Sequence, residues 1–75
     1  IDKGKRMLTI KLKDDYIKLG QALKAAGLAG SGVDAKFMIQ EGLVKVNGET
    51  EYQRGKKLYD KDLVTCNGET IQVIK

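Results

Sequence analysis

Asn-Gly-Glu-Thr occurs twice in this chain, at residues 47–50 and again at 67–70. Nothing else in the sequence restricts the fold as strongly. A two-residue type I′ turn needs positive φ at both central positions, and Asn-Gly meets that demand with little strain. Residues 43–46 and 63–66, short and mostly apolar, lead into the two turns, and 71–74 follow the second. The second half of the chain therefore reads as strands joined by tight turns. The flanks of the two copies differ, so this is one turn chemistry used twice rather than a repeat architecture.

The first half changes period. Residues 7–12 alternate, with Leu8, Ile10 and Leu12 on one face and Thr9 and Lys11 on the other, the pattern of a half-buried strand. Asp14-Asp15 marks a turn or a helix start. Tyr16, Leu19, Leu23 and Ala26 then form the stripe of an amphipathic helix, and Gly27 is its stop. Lys18, Gln21 and Lys24 fall off that stripe. Ser31 with Asp34 predicts the cap of a second helix, whose buried face is Ala35, Met38 and Ile39 and whose end is Gly42. A short apolar piece at 58–59 and a turn over 60–62 precede the last strands. The order β-α-α-β-β-β defines an α+β fold, a single domain over residues 7–75. Residues 1–6 are read as a flexible tail or an expression remnant.

Composition narrows the function. The chain has 14 Lys and Arg against 10 Asp and Glu, a net charge of +4, which permits a polyanionic partner. It has one cysteine and no histidine, which removes internal disulfides, Cys/His zinc sites and histidine-based catalysis. Cys66 sits in a strand and reads as a small buried hydrophobe. The glycines at 27, 30 and 32 lack the Lys-Ser/Thr ending of a phosphate-cradling loop and do not follow a strand. No apolar run approaches the ~20 residues of a membrane span. A non-enzymatic protein of a reducing cytoplasm, without cofactor or metal, is the expectation.

Arg54-Gly55-Lys56-Lys57 is the feature that points to a ligand. Three cations in four positions repel one another unless something anionic is near, and Gly55 lets a ligand approach the backbone. Glu49, Glu51 and Asp60 are the competing neutralisers. Lys36 and Gln40 fall outside the buried face of the second helix, and Lys18 lies on the off-stripe side of the first. Ser31 and the free N–H groups of the second helix's first turn sit where a phosphate can be accepted. Lys45 points away from the Val44/Val46 face. Phe37 lies about 160° from the centre of its helix's buried face. Cover from the first or last strand is expected there, with an aromatic platform beside Lys36 as the alternative.

Two short helices, then Gly42-Leu43-Val44-Lys45-Val46-Asn47-Gly48, then a basic segment: this order resembles the alpha-L RNA-binding motif, the domain named after small-subunit ribosomal protein S-four. The resemblance covers roughly residues 16–73, most of the chain. Lys18-Leu19-Gly20 stands where the family usually has Arg-Leu-Asp. Ser31-Gly32, Ala35-Lys36 and Ile39 stand for its Ser-Arg, Ala-Lys and Ile. Gly20 and Gly32 depart from the pattern, and Gly32 removes one expected RNA-contacting cation. The segment from Arg54 to Leu58 is similar to that of short stand-alone bacterial members of the YbcJ/YaaA kind. The resemblance implies two short helices packed on a small, mostly antiparallel sheet. It implies binding of structured RNA, such as rRNA or tRNA, and association with the ribosome. The implied RNA-binding residues are Lys18, Ser31, Lys36, Gln40, Lys45, Asn47, Arg54, Lys56 and Lys57. The rival reading is a small ubiquitin-like protein-interaction module that does not bind nucleic acid.

Overall fold

The computed structural model describes residues 7–75, so the expectation for residues 1–6 lies outside the described residues. Among the described residues, β1 (Met7–Lys11) and β2 (Ile17–Lys18) precede α1 (Leu19–Ala25) and α2 (Gly32–Gln40). Then come β3 (Val44–Val46), β4 (Glu49–Thr50), β5 (Lys57–Leu58), β6 (Leu63–Cys66) and β7 (Glu69–Ile74). Five strands form one sheet in the order β1-β7-β6-β3-β4, and β2 pairs with β5 in a separate ribbon. Only β1 against β7 is parallel; every other pair is antiparallel.

Both Asn-Gly turns form. Asn47 and Gly48 have φ of 51° and 87°, Asn67 and Gly68 of 53° and 78°, so both are type I′. Register follows from the pleat. Val46 faces Val64, Val64 faces Ile71, Ile71 faces Leu8, and Val73 faces Ile10, all on one side of the sheet. The helices bury Leu19, Ala22, Leu23, Ala35 and Ile39 in the same cluster, completed by Leu58 and Cys66. Each fully buried Leu, Ile or Val contributes about 1.5–3 kcal/mol. This single layer of contacts therefore carries most of the fold's stability.

Both helices stop as the glycines predict. Gly27 and Gly42 take φ of 77° and 76°. The N–H of Leu28 reaches Leu23 O at 3.0 Å, and that of Leu43 reaches Met38 O at 3.1 Å. These are Schellman closures, which need a left-handed residue just past the helix. Ser31 Oγ accepts from Asp34 N at 3.2 Å, the cap expected for α2.

The start of α1 differs from the sequence reading. Tyr16 is not on the helix, which begins at Leu19. Ile17 and Lys18 are instead extended, paired with Leu58 and Lys57. A strand partner forty residues downstream outcompetes helix propensity at the end of a short helix, where propensity contributes little. Phe37 also departs from expectation: it is 61% exposed, not covered by a strand. The first and last strands lie side by side within the sheet, leaving the outer face of α2 open.

Candidate nucleic-acid interface

Lys18 precedes α1 as its cap residue but makes no side-chain capping bond. The basic segment caps the helix instead. Leu19 N donates to Lys56 O at 2.8 Å, and Gly20 N donates to Arg54 O at 3.1 Å. Two of the four orphan donors of the first turn are thus satisfied by the backbone of residues 54–56. The carbonyls point into the helix while the Arg54, Lys56 and Lys57 side chains stay exposed. A rigid backbone anchor with free cationic side chains is what a phosphate-gripping segment needs.

An open cleft of about 360 Å³ lies between α1, the start of α2 and this segment. Lys18, Lys24 and Arg54 supply its charge, with Gln21 as a neutral donor and acceptor. Gly20, Gly32, Ala35 and Gly55 keep its walls low, so a bulky backbone can enter. Among the described residues, none of the three cations has an ion-pair partner; the pair present is Lys75 with Asp15 at 2.8 Å. Lys18 and Lys57 also face each other directly across β2 and β5, a like-charge pair that costs stability. Lys57 turns its Nζ over the Tyr16 ring, 4.8 Å from the centroid, and Tyr16 packs against Tyr59 at 6.0 Å.

The basic cluster is divided. Arg54 faces the cleft between the helices. Lys56 and Lys57 line a second depression of about 320 Å³ together with Glu49, Glu51 and Asp62. There the neutralisers named from sequence are partly present, so the field is mixed. The first cleft is the cationic one.

The other candidates separate by location. Lys36 and Gln40 are exposed on α2 but do not line the cleft; Lys36 is one turn on from Gly32, which does, and Gln40 lies at the far end of the helix. Ser31 Oγ is occupied by the helix cap, and the Asp34 carboxylate shares that first turn. The N–H groups of Gly32 and Val33 remain without intrahelical acceptors, as at any helix start. Lys45 is cross-strand neighbour of Thr50 and Thr65 on the sheet face opposite the helices, away from the cleft. Asn47 is held structurally. Its Oδ1 accepts from Leu63 N at 2.9 Å and its Nδ2 donates to Asp62 Oδ1 at 3.2 Å. Gln21, Lys24 and Gly20 belong to the cleft without being among the RNA-binding residues that the resemblance implies. The spacing of Lys18, Gln21 and Lys24, three residues apart on the off-stripe face, is the signal that marks them.

Residues 10–74 match the S4 domain family. The "Putative RNA-binding protein YbcJ" of Escherichia coli is 36% identical over 69 residues, covering 91% of this chain and 99% of that protein. The "Probable ribosome maturation protein RlbA" of Bacillus subtilis is 42% identical over 59 residues, covering 79% of this chain and 83% of the relative. The solution structure of E. coli YbcJ, described as revealing an alpha-L motif involved in RNA binding, superposes with a TM-score of 0.67 at 32% identity. That match covers 92% of this chain and 86% of the other. The chain belongs to the S4 domain family, and its helix pair on a mostly antiparallel mixed sheet is the alpha-L fold. The ubiquitin-like alternative is not favoured. No helix of the described residues is long and apolar enough to cross a membrane.

Proposed function

We propose that this protein binds structured RNA without catalysis, holding the phosphate backbone in the cleft between α1, α2 and the Arg54–Gly55 turn. The observation that carries this reading is the convergence of Lys18, Lys24 and Arg54, unpaired, around a cleft walled by glycine and alanine. Lys36 extends the same charge along α2. Such contacts position an RNA by its phosphates and shape, not by base edges. The names of the relatives support the RNA, and that of the Bacillus subtilis relative favours a ribosomal one. Lys45 stands outside this surface; Asn47, Lys56 and Lys57 support it structurally or from its margin.

Titration of a labelled rRNA hairpin at increasing salt tests the reading. Four phosphate contacts in a loop, from Lys18, Lys24, Lys36 and Arg54, give a slope of log affinity against log salt of about −3. Absence of binding at low salt, or tight binding indifferent to salt, refutes the phosphate-gripping site.

A further inference from the structure

The outer face of α2 carries two large apolar side chains that no element of the described residues covers. Val33 is 76% exposed and Phe37, one turn later, 61%. At 100° per residue they lie on one ridge with Gln40, opposite buried Ala35 and Ile39. Lys36 borders the ridge on the side of Gly32 and Ala35, the two α2 residues that line the cationic cleft. Asp34 and Glu41 border it on the other side.

We propose that Phe37 is a stacking platform for one unpaired base of the bound RNA, with Val33 supporting the base edge. The inference rests on the RNA-binding reading above and adds a base-contacting residue to a phosphate-binding site. Charge orders the strand on the helix. Phosphates are drawn to Lys36 and the cleft and repelled by Asp34 and Glu41, so a nucleotide held at Lys36 directs its base across α2 onto the phenyl ring. Size argues for a base over a protein. A single aromatic offers ~150–250 Å² of contact, against ~800 Å² per side in a stable protein interface. Every base has a π face, so the platform selects unpaired nucleotides over paired ones rather than one sequence.

The test compares an RNA hairpin carrying a single-stranded loop with the fully paired duplex of the same stem, at fixed salt. Wild-type protein is set against Phe37→Ala, Phe37→Leu and Phe37→Trp. Phe37→Leu keeps apolar bulk without a π face and guards against a folding defect in the alanine variant. Alanine and leucine are expected to lower loop-hairpin affinity roughly 5- to 150-fold with melting unchanged, while tryptophan retains it. Duplex affinity stays the same, and 2-aminopurine in the loop is quenched by wild type but not by the leucine variant. If both Phe37→Ala and Phe37→Leu bind the loop as wild type does, the platform is wrong and the phosphate site stands. If wild type binds neither RNA, the RNA-binding reading fails and the platform with it. If Phe37→Ala changes only the oligomeric state seen in sedimentation, the ridge serves a second copy of the chain and the platform is overturned.

Discussion

Arg54 lies directly across Gly20. A Cβ built at residue 20 would meet Arg54 Cγ at 2.7 Å, closer than real Cβ atoms approach, and Cδ at a tight 3.3 Å. The same glycine donates its N–H to Arg54 O at 3.1 Å. The departure from the family's usual acidic residue at this position therefore has a physical function. It lets the stem of Arg54 pass close over α1 where Arg54 lines the cleft, and it leaves no carboxylate at residue 20 to neutralise the guanidinium.

Gly20→Ala is thus expected to act on binding more than on folding. Alanine improves helix propensity by up to ~1 kcal/mol, which offsets the cost of pushing the Arg54 stem aside. Unfolding in urea should shift little, while RNA affinity falls because the guanidinium has moved. A variant that binds RNA like the parent would show that Arg54 has no fixed position in the site.

The divided basic cluster gives a second prediction. Arg54→Ala and Lys24→Ala should each weaken RNA binding and make the salt slope shallower by about 0.7, one phosphate contact. Lys45→Ala, on the opposite sheet face, should leave affinity and slope unchanged. Exposed substitutions of this kind alter stability by less than about 0.5 kcal/mol, so any larger loss in the cleft variants would assign those cations to folding. Equal losses at Lys45 and Lys24 would mean that net charge, not the cleft, governs binding.

The two Asn-Gly turns should respond unequally to the same substitution. Asn47→Ala removes two side-chain hydrogen bonds to the 62–63 segment and puts alanine at φ 51°. At ~0.5–1.5 kcal/mol per bond and ~1 kcal/mol for the left-handed backbone, the cost is about 2–4 kcal/mol. Asn67→Ala loses the backbone term, about 1 kcal/mol. Chemical denaturation of the two variants checks the ranking, and comparable losses would remove the Asn47 clasp from the account of the fold.

Burial pushes the Cys66 thiol above its ordinary value of 9.0, and Glu69 adds a smaller push in the same direction. The folded state favours the neutral thiol, so this contribution to stability is complete below the unfolded thiol's pKa. It declines as pH rises from about 9 through the raised folded value. Urea titrations at neutral and alkaline pH should show the decline, and it should be smaller in Cys66→Val. Native protein at neutral pH should resist alkylation that proceeds readily once urea unfolds it. Fast native alkylation would contradict the burial of Cys66 between β3 and β7.

What the sequence determined by itself is local. The type I′ turns at 47–48 and 67–68, the Ser31 cap and the helix stops at Gly27 and Gly42 follow from φ preferences and short-range hydrogen bonds. Those demands are met within four or five residues and need no partner. The alternation of the strands and the Ala35/Ile39 face of α2 were legible for the same reason. Tertiary structure decided the rest. Ile17 and Lys18 became extended because β5 pairs with them. Arg54 parted from Lys56 and Lys57 because its stem lies over Gly20 of α1, while Lys57 is held in β5 opposite Lys18. Asn47 was taken up by Asp62 and Leu63, while the bonds of the described residues include none to the side chain of Asn67 in the second turn. Phe37 stayed in solvent because the first and last strands, β1 and β7, paired within the sheet instead of covering α2. Each of these depends on register between segments distant in the chain. Many pairings are compatible with the same local pattern, and only the packed core selects one of them.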